Sequence, residues 1–322
     1  MRKFLEWFKS KGLNRLEIDM NMDHLYYFKT LVETKSRTET AEKLAITPST
    51  LSLGISKLER ELNTTLIDKK RGSVALTTEG EVFYEYIATA LRFVEGGVKI
   101  LNERGEGTSQ SEIVIGTVFS VQDKDWSNII SKFRNYTHGG VRIKVKQATT
   151  PDLLNAIKNG TVDLAFCGTM GKDSDISFIP IWSQRAVLVV NQLHPFAKRN
   201  SISLAELKDH YLISYNLTGP LANELTNLVK DYSLLIDYLY SDEITLASIV
   251  AGNPDIIAIA CRSWLLDSYH NEVKLINIKE APDNFHQMFL CTKASIYQPQ
   301  AVETFIDIVK RYCEEKKNHL HS

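Results

Sequence analysis

The densest run of side chains able to do chemistry is Thr47-Pro48-Ser49-Thr50-Leu51-Ser52, with four hydroxyls in six residues. Thr47 stands in an N-cap position, and Pro48 follows at the first helical position, where a missing N–H costs nothing. Leu51, Ile55, Leu58 and Leu62 then recur at i, i+4, i+7 and i+11, predicting a helix with one buried stripe. The other face carries Ser49, Ser52, Leu53, Ser56 and Lys57. Small side chains let such a helix start sit deep in a groove, and its free N–H groups and positive dipole end favour phosphate. Further on, Leu66–Thr77 reads as strand, basic tip and strand, with Lys69, Lys70 and Arg71 at the tip. Alone, that tip reads as a solvated charged turn. Beside a groove-reading helix, it suits contact with a nucleic-acid backbone or minor groove.

No other constellation is as specific. The eight histidines show no HExxH or other paired ligand spacing, and there is no GxSxG elbow, Walker loop or GxGxxG fingerprint. The sequence therefore predicts no enzyme, no metal and no cofactor. Cys167, Cys261, Cys291 and Cys313 are far apart and form no CxxC pair, so each is expected to be a small buried hydrophobe in a reducing cytoplasm. No run reaches the roughly 18–20 apolar residues of a membrane span, and no membrane partner is expected.

The elements that must position these groups fall into zones. Residues 1–21 read as an N-terminal extension, with Met20 and Met22 as alternative starts. Leu25, Phe28, Leu31 and Val32 predict a first helix. Thr38 is expected to cap a second helix that turns Ala41, Leu44 and Ala45 inward. With the Pro48 helix this gives a helix-turn-helix, and the strand pair makes it winged, over residues 22–80. Residues 81–111 follow as a long helix and hinge. Its seam, Phe83, Ile87, Leu91, Val94, Val98 and Leu101, must pack on something, either its own chain or a second copy. From Glu112 to Ser322 the pattern alternates strands and amphipathic helices, an α/β arrangement. Such folds place ligand clefts at the carboxyl ends of strands. Phe119, Ser120, Thr149, Thr150, Ser214, Tyr215, Thr245 and Cys261 stand at those junctions. Hydroxyls and helix N–H groups there suit a carboxylate or other small anion, although Arg262 is the one arginine near them.

Residues 22–76 resemble the N-terminal domain of LysR-type transcriptional regulators. The resemblance rests on Leu25-x-x-Phe28, Ala41-Glu42-x-Leu44, Thr47-Pro48-Ser49-Thr50-Leu51-Ser52, Ile55-x-x-Leu58-Glu59-x-Glu61-Leu62 and Leu76-Thr77-x-x-Gly80. In the other zone, Asn159-Gly160-x-x-Asp163-Leu164-Ala165-Phe166, His194-Pro195-Phe196-Ala197 and Ile249–Ala258 are similar to the same family. Pro48 stands where the family commonly has Gln, and Leu53 where it often has Arg. Base reading is then expected to rest on Ser49, Thr50, Ser52 and Lys57. Pro254 and Asp255-Ile256 depart from the family's glycine-rich loop.

The resemblance implies an α/β protein with a winged helix-turn-helix, a linker helix and a sensor like a periplasmic binding protein. One sensor subdomain would hold about residues 112–183 and 286–316, and the other about 184–283. It implies a bacterial regulator that binds double-stranded promoter DNA as a homodimer or homotetramer, the linker helices pairing antiparallel. A small-molecule effector in the sensor cleft would modulate binding, and RNA polymerase is a candidate partner. A solute-binding transport protein and a redox-responsive regulator are the alternatives.

The formal charge of −1 is silent about any of this because it averages unlike parts. Residues 1–104 hold 17 Lys and Arg against 15 Asp and Glu, whereas residues 105–322 hold 21 against 24. Within Lys43–Arg71, six basic residues face three acidic ones.

Overall fold

A computed structural model describes residues 20–68, 74–103, 111–294 and 297–320. The chain divides into two units, Met1–Val98 and Lys99–Ser322.

In the first unit, three helices fold around one apolar centre. Helix α1 (Met22–Thr34) starts at Asn21, whose side chain accepts the Asp23 N–H at 2.8 Å. Helix α2 (Arg37–Lys43) starts one residue before Thr38. Its cap is Ser36, whose hydroxyl accepts the Glu39 N–H at 3.3 Å. Thr38 is thus not the cap. Ala45 does not point inward either: it is exposed and turns the chain at φ 53°. Helix α3 (Pro48–Glu61) buries Leu51, Ile55 and Leu58 against Leu25, Phe28 and Leu31 of α1. Strands β1 (Ile67–Asp68) and β2 (Ala75–Leu76) pair antiparallel, with Ile67 opposite Leu76. The Glu59 carboxylate accepts the N–H groups of Leu66 and Ile67 at 2.9 and 3.1 Å, which ties α3 to the strand pair.

Helix α4 (Thr78–Glu103) begins where the Thr77 hydroxyl accepts the Gly80 N–H at 3.0 Å. Gly80 is required there because a Cβ would lie 2.2 Å from the Leu66 carbonyl oxygen. The apolar seam of α4 has two fates. Ile87 and Leu91 are buried in the three-helix core with Phe83 packed beside them, whereas Val94, Val98 and Leu101 are exposed. A neighbouring face adds Val82, Tyr86 and Phe93, also exposed.

The second unit contains two mixed sheets. One has the order β4-β3-β5-β13-β6, built from β3 (Ser111–Thr117), β4 (Val141–Gln147), β5 (Leu164–Cys167), β6 (Ile176–Gln184) and β13 (His286–Lys293). Helices α5 (Lys124–Tyr136), α6 (Thr150–Lys158) and α9 (Gln300–Leu320) belong with it, and Phe133, Phe166 and Phe305 stack edge-on in its core. The other has the order β10-β9-β11-β7-β12-β8. It comprises β7 (Ala186–Asn191), β8 (Ser201–Ile202), β9 (Tyr211–Tyr215), β10 (Leu235–Tyr240), β11 (Ile256–Cys261) and β12 (Val273–Ile278). Helices α7 (Ala222–Val229) and α8 (Glu243–Gly252) bury Leu225 and Leu246 in its core. Strands β7 and β11 are buried along almost their whole length, as expected for strands covered on both faces. The chain passes from the first sheet to the second between Gln184 and Ala186, and returns between Ile278 and His286. Gln184 and His286 are partners in the β6–β13 register, so the two crossings lie side by side.

Tertiary structure also changes the reading of the cysteines. Strands β5 and β13 bring the Cys167 and Cys291 sulfurs to 3.6 Å, although 124 residues separate them. Both are buried. The hydrogen bond shared with the Cys167 sulfur, together with burial, holds the Cys291 thiol far above its usual range, which keeps it from being a reactive thiolate.

Candidate functional site

The first candidate surface is the start of α3. The Thr47 hydroxyl accepts the Thr50 N–H at 3.1 Å and lies 2.8 Å from the hydroxyls of both Ser49 and Thr50. Thr47, Pro48, Ser49, Thr50 and Lys57 are exposed, Ser52 is half-buried, and Leu53 is 55% exposed. Seven of the ten predicted contact residues therefore lie on α3 or its cap. Lys69, Lys70 and Arg71 lie outside the described residues.

The structure adds neighbours that were not singled out from sequence. Asn21, His24, Lys57, Arg60 and Glu61 border one open hollow. Arg60 follows Lys57 by three residues, a spacing that places both on one helix face; that signal was readable. The buried Nδ1 of His24 has no hydrogen-bond partner. Gly54 keeps α3 close to α1, because a Cβ there would stand 2.6 Å from the Tyr27 ring.

The second candidate is a cavity of about 770 Å³ between the two sheets of the second unit. Phe119, Ser120, Thr149, Thr150 and Tyr215 line it, as expected from their junction positions. Ser214, Thr245 and Cys261 do not. Ser214 precedes Tyr215 on β9, so its side chain takes the opposite face and donates to the Ile259 carbonyl at 2.8 Å. Thr245 is absorbed by the cap of α8: its N–H and hydroxyl both donate to the Asp242 carboxylate, at 2.8 and 3.1 Å. Cys261 is buried and gives its backbone N–H to the Tyr215 hydroxyl at 2.9 Å. Burial, with Glu243 and Glu224 nearby, raises its thiol well above the usual range.

The cavity wall also holds groups the sequence reading did not select. Gln184 and His286 enter it from the paired chain crossings. His286 Nδ1 lies 3.3 Å from a Glu224 carboxylate oxygen. Gly168 lets the chain pass beside it, since a Cβ there would sit 3.1 Å from both the His286 ring and Pro220. Glu243, only 7% exposed, lines the wall at the start of α8. Burial raises its carboxyl above the ordinary value, against weaker lowering by its own backbone N–H, a Tyr215 hydrogen bond and His286. Because the Tyr215 hydroxyl already accepts from Cys261, its own proton is free for Glu243. Asp152 and Asp242 also line the cavity. Among the described residues, no Lys or Arg does. Arg262 instead pairs with Asp267 at 2.6 Å.

Comparison with known proteins agrees with this two-part organisation. Residues 22–81 match the family described as "Bacterial regulatory helix-turn-helix protein, lysR family", and residues 106–314 match "LysR substrate binding domain". The chain belongs to the LysR family of transcriptional regulators. It is 27% identical to the uncharacterized HTH-type transcriptional regulator YybE of Bacillus subtilis, over 58% of this chain and 64% of that protein. It is 29% identical to the HTH-type transcriptional regulator BenM of Acinetobacter baylyi, over 66% of this chain and 70% of the relative. Among solved structures, a full-length OxyR from Pseudomonas aeruginosa aligns with TM-score 0.65 at 20% identity, covering 90% of this chain and 95% of that one. Full-length CbnR, complexed with its target DNA, aligns with TM-score 0.64 at 16% identity over 91% and 100%. At these identities the two structures establish the fold: a helix-turn-helix followed by a two-sheet α/β unit.

Proposed function

We propose that the chain is a sequence-specific DNA-binding transcriptional regulator, not an enzyme, whose promoter binding is modulated by a small molecule held between the two sheets. The observation that carries this reading is the exposed, hydroxyl-capped start of α3, set beside Lys57 and Arg60 in a chain that also holds a cavity of about 770 Å³. Pro48 fixes the first turn, and the short side chains of Ser49, Thr50 and Ser52 let the helix approach base edges. Leu53 supplies an apolar contact of the kind thymine methyl groups accept. Lys69, Lys70 and Arg71 are assigned to the phosphate backbone by their charge.

In this reading, residues 22–80 form the DNA-binding domain, 81–111 the linker and 112–322 the effector domain. Two copies pair through α4. The exposed half of its seam, Val94, Val98 and Leu101, supplies that contact with Val82, Tyr86 and Phe93. Phe83, Ile87 and Leu91 contribute by fixing α4 to its own DNA-binding unit. A two-fold dimer reads two half-sites. The effector shifts the oligomer only by its differential affinity for two conformations. Where the outcome is activation, RNA polymerase is the further partner. The cytoplasm is the compartment, in keeping with the absence of any helix, among the described residues, long and apolar enough to cross a membrane.

The direct test is selection of bound duplexes from a random-sequence DNA pool by the full chain. Selected duplexes should converge on a two-fold-symmetric sequence. A pool that remains random after repeated rounds overturns the reading.

A further inference from the structure

We infer that the cleft takes a small molecule presenting an amine or other cationic group, rather than a carboxylate. This rests on the cleft being the effector site and specifies what it holds.

Charge is the first ground. The wall carries Asp152, Asp242 and Glu243 and, among the described residues, neither Lys nor Arg. The nearby arginines are engaged elsewhere, Arg262 with Asp267 at 2.6 Å and Arg185 with Asp283 at 3.1 Å. The buried ring of His286 faces the Glu224 carboxylate. A carboxylate entering this cavity would meet the exposed Asp152, the half-buried Asp242 and the buried Glu243, with no guanidinium or ammonium to pair with.

The two helix starts at the wall do not reverse that balance. The positive end of α8 is capped by the Asp242 carboxylate, which takes the Thr245 N–H, and Glu243 adds a second acid in the same turn. The start of α6 is capped by Thr149, and its first turn carries Asp152. Each N-terminus thus arrives with acidic groups already on it, and Pro151 supplies no N–H at all.

The third ground is Glu243 itself. Its side chain is more than nine-tenths buried at the wall of the cavity, with a Tyr215 hydrogen bond. A carboxylate can accept about four hydrogen bonds, and Glu243 takes one from Tyr215 and one from its own backbone N–H, so acceptor capacity remains. An ammonium placed there provides the counter-charge that burial withholds. Phe119, 56% exposed, and Tyr240 line the same cavity, and aromatic faces attract desolvated cations.

The experiment is a thermal-shift series on the full chain at constant ionic strength. One set of probes is putrescine, agmatine and choline; the other is benzoate, succinate and shikimate. At least one cation should raise the melting temperature, by about 5 °C near a hundredfold excess over Kd. Glu243→Gln should weaken that binding by about tenfold or more, and Asp152→Asn by less. The melting temperature of each unliganded variant reports folding; if Glu243→Gln fails to fold, Asp152→Asn carries the test. Stabilisation by a carboxylate alone overturns the inference and leaves the effector site standing. Silence from all six probes also overturns the inference, and the DNA selection then judges the regulator reading separately. Cation binding that is unchanged in both variants overturns it too.

Discussion

Helices α3 and α8 begin in the same way and are surrounded in opposite ways. Each has a side-chain oxygen at its N-cap that takes the N–H three residues on, Thr47 with Thr50 and Asp242 with Thr245. Local sequence makes both ends electropositive. Around α3 the neighbours are hydroxyls, Lys57 and Arg60, open to solvent. Around α8 they are Asp242, a buried Glu243 and a phenol, inside a cavity. A helix start therefore does not specify a ligand. The charge packed around it does, since an exposed polyanion contact needs mobile positive charge while a buried carboxylate needs a matched partner.

Three variants can break or sharpen that contrast. The largest effect is expected from Ser49→Glu, which puts a carboxylate on the exposed first turn of α3. DNA affinity should fall by about a hundredfold through like-charge repulsion, while ligand binding in the cleft is unchanged. Fluorescence anisotropy on a selected duplex measures it, and full retention of affinity would remove α3 from the interface. A smaller effect should come from replacing Lys57 and Arg60 together by Gln. Binding to all duplexes should weaken to a similar extent, by roughly tenfold or more, and the slope of log affinity against log salt should drop by about 4, two contacts from each copy of the dimer. A loss confined to one sequence would instead make these residues base readers.

The smallest effect concerns Glu243. Burial raises its carboxyl in the folded protein, so folding binds a proton more tightly there. Its contribution to stability is fully present below the ordinary carboxylate value of 4.5 and is lost as pH rises through the folded value. Glu243→Gln has no such loss. Its melting temperature relative to the parent should therefore climb by roughly 2 °C between pH 4 and pH 8. A constant difference across that range would mean the carboxyl is not held by burial, and the contrast between the two helix starts would weaken.

Much of the DNA-reading surface was legible because its signals are local. The cap at Thr47, the proline at the next position and the spacing of Leu51, Ile55 and Leu58 all lie within one helix, where neighbours in sequence are neighbours in space. The capping of α2 was misplaced by two residues because Ser36 and Thr38 both satisfy the same local rule. The α4 seam was visible in its spacing, but its division was not. Phe83, Ile87 and Leu91 find a core to enter, whereas Val94, Val98 and Leu101 extend past it.

By itself, then, the sequence determined the helix-turn-helix, the alternation of strands and helices after it, the family, and the junctions near which a cleft would open. Only tertiary structure decided what lines that cleft. Ser214 and Tyr215 are adjacent in the chain but face opposite sides of a sheet, so one is structural and the other reaches the cavity. Gln184 and His286 meet through strand register across about a hundred residues, and Glu243 becomes a buried acid because α8 packs Leu246, Ala247 and Val250 onto the second sheet. Periodicity records which way a side chain points along its own element. The charge of a cavity is summed over elements far apart in the chain, and no local pattern carries that sum.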